Sequence, residues 1–160
     1  MIELHSSVAK VQETLRQSGF DNQVEQLPDS TRTAQEAADT IGCEVAQIAK
    51  SIIFRLKPSD RPVLAVASGV NRVSEQLVEA HVDGKLGKAD AAFVNEHTGY
   101  VIGGVPPIGH SEPIVTFIDE DLFRFHCIWA AAGHPKAVFQ LTPDELAGMT
   151  KGKVIRVVAE

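Results

Sequence analysis

Apolar positions along the chain switch between a helical period and a strand period, and the switches divide it into short elements. Val8, Val11 and Leu15 recur at helical spacing, with Ser6 or Ser7 as cap and Gly19 as terminator. A short strand, Val24 to Leu27, precedes Pro28-Asp29-Ser30. Thr33-Ala34-Gln35-Glu36 has the form of a capping box, a hydroxyl cap whose partner carboxylate returns to the cap amide. It opens a helix carrying Ala34, Ala37, Ala38 and Ile41, closed by Gly42. A second short helix, Glu44 to about Ile48, leads into Lys50–Leu56, rich in the β-branched and aromatic residues of a strand. A turn from Lys57 to Pro62 and a buried strand from Val63 to Ala67 complete a hairpin.

Ser74 caps a helix through Val82, and Ala89 to Glu96 forms another. Tyr100-Val101-Ile102 is strand-like and runs into Gly103-Gly104-Val105-Pro106-Pro107-Ile108-Gly109, where three glycines and two prolines force an irregular loop. Ile114–Ile118 and Cys127–Ala131 read as strands, with a short helix near Asp121–Phe125 between them. Val138–Leu141 is a strand, Thr142-Pro143-Asp144-Glu145 a capping box with proline in the first turn, and Val154–Val158 a last strand. Strands outnumber what a strict βαβ alternation gives, and short turns join several of them. The expected class is α+β, a mixed, largely antiparallel sheet with helices packed on it. No repeat or linker interrupts residues 1–160, which read as a single domain.

Composition narrows the function classes. With 160 residues, 44% hydrophobic and 22% charged, the chain fits a globular domain rather than a disordered or membrane protein. Met1-Ile2-Glu3-Leu4-His5 lacks the basic patch and apolar run of an export signal, and runs such as Ile114–Ile118 are too short to span a bilayer, so a cytoplasmic protein is expected. Cys43 and Cys127 form no CxxC pair, which argues against a disulfide framework or a cysteine-rich metal site. A net charge of −6 argues against DNA or any long nucleic-acid backbone held on a broad basic face. It leaves room for a short single-stranded end in one local pocket.

Phosphate-loop, dinucleotide, HExxH, zinc-deaminase and GxSxG motifs are all missing. Three local features remain, each with two readings. Lys50, flanked by Ile48, Ala49, Ile52 and Ile53, either snorkels to the sheet edge or supplies a fixed charge for a phosphate or oxyanion. The Gly103–Gly109 segment is either a tight turn or a loop offering backbone amides to a ligand. His134, in Gly133-His134-Pro135, is either an exposed loop histidine or a site residue.

Taken in order, these features resemble the YbaK/EbsC family, which includes the editing domain of prolyl-tRNA synthetase. The resemblance rests on Thr33, Glu36 and Ala38; on Ile48–Phe54 around Lys50; and on Val66-Ala67-Ser68-Gly69-Val70-Asn71-Arg72-Val73. It continues through Thr98–Gly109, Ile118-Asp119 and Ala132-Gly133-His134-Pro135, covering about Ser6 to Leu146. It implies a free-standing hydrolase acting in trans on the ester of a mischarged tRNA, without metal or other cofactor. It implies further that Lys50 holds the substrate near the 3′-terminal adenosine of the CCA end, and that Gly103, Gly104 and Pro106 belong to a glycine–proline loop whose amides line an acyl pocket. Asp119, Gly133 and His134 match further motif positions, and Thr31, Arg32 and Thr33 approach the pocket from the first turn of their helix. Arg32, Arg55, Arg72, Lys85 and Lys88 are candidates for attracting the acceptor end. Small amino acids on tRNA-Pro are the expected substrates, alanine ahead of cysteine, on a monomer or weak homodimer. The competing readings are a non-catalytic module binding a small ligand or aminoacyl-tRNA, and a thiol hydrolase using Cys43 or Cys127 with a histidine.

Overall fold

The most continuous apolar run, Pro62 to Ala67, is buried along its whole length because it lies at the centre of a sheet. The computed structural model describes residues 4–159, so the reading of Met1-Ile2-Glu3 lies outside the described residues. In chain order the elements are α1 (Ser6–Gln17), β1 (Val24–Gln26), α2 (Ala34–Ile41), β2 (Ile48–Lys57), β3 (Arg61–Ser68), α3 (Glu75–Glu79) and β4 (Lys85–Lys88). They continue with α4 (Ala91–Thr98), β5 (Val115–Asp119), β6 (Ile128–Ala131), β7 (Ala137–Leu141), α5 (Pro143–Thr150) and β8 (Lys153–Ile155). The sheet order is β1-β7-β6-β2-β3-β5-β8, and β4 also pairs with β2. Among the described residues four pairings are antiparallel (β1·β7, β2·β3, β2·β4, β6·β7) and three parallel (β2·β6, β3·β5, β5·β8). The class is therefore α+β with a mixed sheet, as the pattern indicated.

The strand period of two sorts side chains between two cores. Leu64 and Val66 of β3 join Val8, Val11 and Leu15 of α1, Phe93 and Val94 of α4, and Leu146 of α5 on one face. Val63, Ala65 and Ala67 face the other side, with Phe54, Leu56, Val78 and Phe117. A smaller cluster joins Ala37 and Ala38 of α2 to Ile48 and Trp129. That cluster seats the start of α2 over the beginning of β2.

Several local expectations change in detail. His5, not Ser6 or Ser7, caps α1, its ring accepting the Ser7 N–H at 3.3 Å. Thr33 does cap α2, but the Glu36 carboxylate returns to the Thr33 hydroxyl at 3.0 Å instead of the amide. The box at Thr142 is reciprocal, with Glu145 accepting the Thr142 N–H at 2.8 Å. The helix expected at Glu44–Ile48 is one 3-10 turn, Val45–Gln47, and the last strand ends at Ile155. Tyr100–Ile102 is not a strand: the Thr98 hydroxyl accepts the Tyr100 N–H and the Val101 C=O accepts the Gly104 N–H, so local turns consume the backbone groups. β4 escaped the pattern because Lys85-Leu86-Gly87-Lys88 carries a single apolar residue.

Candidate active site

Lys50 stands at the junction of two adjoining cavities. The smaller, about 240 Å3, lies between α2, the start of β2, the 102–105 loop and β6. Its walls include Thr31, Ala37, Ile48, Val105, Trp129 and Ala130. The larger, about 570 Å3, opens toward Arg72, Glu75, Lys88 and Val94. Lys50, Ser51, Ile52, Ile102, Gly103 and Val105 belong to both. Lys50 thus lines both cavities. Burial lowers its pKa from the ordinary lysine value, while the Asp119 carboxylate partly offsets this.

Asp119 itself is outside both cavity walls and only 1% exposed. It accepts the Ser68 N–H at 3.0 Å, the Asn71 side-chain amide at 2.8 Å and the Asp121 N–H at 2.9 Å. These bonds pin the turn after β3 beside β2. Asp119 is a structural anchor that also projects charge onto Lys50.

The loop after Val101 owes its course to two glycines. Gly103 has φ +92°, and a Cβ there would lie 2.4 Å from Arg32 Cγ. A Cβ on Gly104 would stand 2.9 Å from the N, Cα and C atoms of His134. The Gly104 N–H is held by Val101 O at 3.0 Å, and its C=O accepts the Gly133 N–H at 2.9 Å. Gly104 therefore locks the loop to the 133–135 turn and offers no amide to the cavity. The N–H groups of Gly103 and Val105 have no hydrogen-bond partner among the described residues, and both residues line the cavities. Pro106 is buried outside the walls, its C=O taken by His110 Nε2 at 2.7 Å. Gly103→Ala is expected to cost about 1–2 kcal/mol through its left-handed backbone. A melting temperature lower by about 2–8 °C checks this, at 2–4 °C per kcal/mol for a chain of this size. An unchanged value would mean that the turn relaxes around a side chain.

Gly133 and His134 also lie outside the cavity walls. The His134 Nδ1 accepts the Lys136 N–H at 3.1 Å, and its ring packs 4.8 Å from that of His5. Desolvation, helped by His5 and Lys136, lowers its pKa, which leaves the imidazole neutral near pH 7. The turn works through its neighbour: Pro135 O accepts both the N–H and the hydroxyl of Thr31, at 2.6 and 3.0 Å. That fixes the Thr31-Arg32-Thr33 segment as one cavity wall. Of the proposed attracting cations, Arg32, Arg72 and Lys88 face the cavities. Arg55 is held by Asp60 at 3.1 Å and Lys85 by Glu79 at 3.6 Å, both away from the site.

Sequence reasoning missed the cavity walls supplied by Ile102, Val105, Trp129 and Val138. Ile102 and Val105 flank the glycines of the loop, whereas Trp129 and Val138 come from distant strands that no motif links to Lys50. Cys43 packs partly buried under α2, and burial raises its thiol pKa, which opposes thiolate formation. Among the described residues no three His, Cys, Asp or Glu side chains converge on a metal-sized site, and no helix is long and apolar enough to cross a membrane.

The same arrangement of segments recurs in proteins of known relationship. A solved structure, provisionally described as a trans-editing enzyme for prolyl-tRNA synthetase, superposes with a TM-score of 0.92 at 41% identity, covering 99% of this chain and 100% of that one. YwhH of Bacillus subtilis (strain 168), an uncharacterized protein, is 32% identical over 148 residues, 92% of this chain and 94% of YwhH. EbsC of Enterococcus faecalis (strain ATCC 700802 / V583), provisionally named a Cys-tRNA(Pro)/Cys-tRNA(Cys) deacylase, is 24% identical over 129 residues, 80% of this chain and 78% of EbsC. The family model for the aminoacyl-tRNA editing domain matches residues 28–149, the stretch that holds Lys50, the glycine loop, Asp119 and the 133–135 turn. With motif, fold and relatives in agreement, this chain belongs to the aminoacyl-tRNA editing domain family, the YbaK/EbsC group of deacylase-type proteins.

Proposed function

We propose that this chain is a single-domain cytoplasmic enzyme acting in trans, which hydrolyses the ester linking a small amino acid to the CCA end of tRNA-Pro. The observation that carries the reading is the placement of Lys50 where a small, mainly apolar cavity meets a larger one flanked by Arg72 and Lys88. In this reading the smaller cavity takes the amino-acid side chain and the larger one takes the terminal nucleotide. Water adds to the ester carbonyl, and its proton is relayed by the 2′-hydroxyl or solvent to the ribose oxygen that departs. The tetrahedral centre then collapses, breaking the bond to the ribose oxygen, which leaves as a hydroxyl. In this reading the Lys50 ammonium and the Gly103 and Val105 amides stabilise the oxyanion, each well-aimed donor contributing about 3–4 kcal/mol. The ester is already activated, so the step needs neither a strong nucleophile nor a metal.

The amino acid is a question of cavity volume. One methylene in an apolar pocket gives about 1–3 kcal/mol of discrimination. Alanine is the first choice, and cysteine, the residue in the name of EbsC, the second. The decisive experiment compares deacylation of Ala-, Cys-, Ser-, Thr- and Pro-tRNA-Pro. Selective hydrolysis of one mischarged species supports the reading, whereas saturable binding without hydrolysis would favour a binding module. EDTA and iodoacetamide are both expected to leave the rate unchanged. Inhibition by iodoacetamide would bring back the thiol mechanism.

A further inference from the structure

The outer edge of β2 is interrupted beside Lys50. There β6 pairs only with Ile48 and Ala49, and β4 only with Phe54–Lys57. Among the described residues, no strand residue stands in register with that edge between Lys50 and Ile53, although the non-hydrogen-bonded Phe54–Lys88 pair still engages the Ile53 C=O. Two neighbours fix which main-chain groups point outward. Pro62, which has no N–H, stands opposite Arg55 on β3, so that pair is not hydrogen-bonded. Leu86 stands opposite Leu56 on β4 and gives its N–H to the Glu79 carboxylate at 2.7 Å. Arg55 therefore turns its main-chain groups toward β4, and by alternation Ser51 and Ile53 turn theirs to the same outer side. The Ser51 C=O and the Ile53 N–H are left side by side in the wall of the larger cavity. The Ser51 hydroxyl is buried there without a partner as well.

Unpaired edge groups call for a partner. The gap is four residues long, about 13 Å at strand rise, and is closed at both ends by β4 and β6. That is too short to add a strand. A carbonyl and an N–H two residues apart on one edge instead match a small planar group with a donor beside an acceptor. Adenine presents this pair, an N6 amino donor next to the N1 acceptor. Ile52, Phe54 and Val94 supply apolar surface for its faces, and Arg72 and Lys88 supply charge for the adjoining phosphates.

We propose that the open edge of β2 reads the terminal base of the substrate. The Ser51 C=O accepts from the adenine N6 amino group, and the Ile53 N–H donates to N1. This rests on the aminoacyl-tRNA reading above. It predicts discrimination at the terminal base by main-chain atoms that no side-chain substitution removes.

Inosine provides the test, because it is nearly isosteric with adenosine but reverses the pair to an O6 acceptor and an N1–H donor. Alanylated pCpA and pCpI are ligated to tRNA-Pro lacking its last two nucleotides, and deacylation of the two is compared. A kcat/KM at least tenfold lower for the inosine-ended substrate is expected, since a site built to hydrogen-bond a group rejects the analogue lacking it. Equal rates would overturn the edge-reading proposal while leaving the deacylase reading intact. Hydrolysis of neither ester, with the cysteinyl pair equally inert, would overturn the deacylase reading and this one with it.

Discussion

Lys50→Ala is expected to lower the rate of deacylation by at least tenfold, and by about 10²–10³-fold if the ammonium is a principal oxyanion donor. The reason is positional: Lys50 is the lysine set at the junction of the two cavities, and it is held partly away from solvent. Its long side chain adds little to the core, so the variant should fold with a near wild-type melting temperature. A near wild-type rate would remove Lys50 from the mechanism. The pH profile gives a second readout. Burial lowers the Lys50 pKa, so rate enhancement that needs the ammonium is lost as pH rises through that lowered value. The Lys50-dependent part of the rate, wild type minus variant, should therefore fall at a pH below the ordinary lysine range of about 10.4.

Asp119→Ala should produce the largest loss of stability. It strips the acceptor from the Ser68 and Asp121 N–H groups and from one bond of the Asn71 amide, in a place that is 1% exposed. At about 1–3 kcal/mol for each buried donor left unsatisfied, the expected cost is about 3 kcal/mol or more. The melting temperature should fall by about 6 °C or more. Asp119→Asn keeps one acceptor oxygen and should lose less, which provides a folded variant if the alanine form does not accumulate. Removing the carboxylate also removes the charge that raises the Lys50 pKa, so the alkaline fall in rate should move to lower pH. A melting temperature unchanged in both variants would show that water replaces the carboxylate without cost.

The residues that sequence reasoning placed in the site divide by what the chain does with them in space. Lys50, Gly103, Thr31, Arg32 and Thr33 line the cavities. Gly104, Pro106, Asp119, Gly133 and His134 surround them and hold the wall-forming segments in place. A motif reports that a residue type is required at a position. It does not say whether the requirement is a contact with substrate or a close approach of two backbones, as at Gly104 against His134. Both leave the same mark in the sequence.

Local physics made most elements legible. Period-two and helical patterns located the central hairpin and α1, and the threonine caps at Thr33 and Thr142 marked the starts of two helices. Those signals are carried by neighbours in the chain, so they survive without knowledge of the fold. The pattern failed where tertiary contacts override it. β4 exists because β2 offers an edge to four nearly polar residues, and Tyr100 is buried in a turn rather than a strand. Sequence alone named one lysine, one glycine-rich loop and Asp119 as candidate site positions. Only the tertiary structure decided that Trp129, Val138 and Ile102 share a cavity with Lys50, and that no strand residue stands in register with the edge of β2 from Lys50 to Ile53. That open edge depends on where two other strands stop pairing, a property of long-range register that no local stretch of sequence encodes.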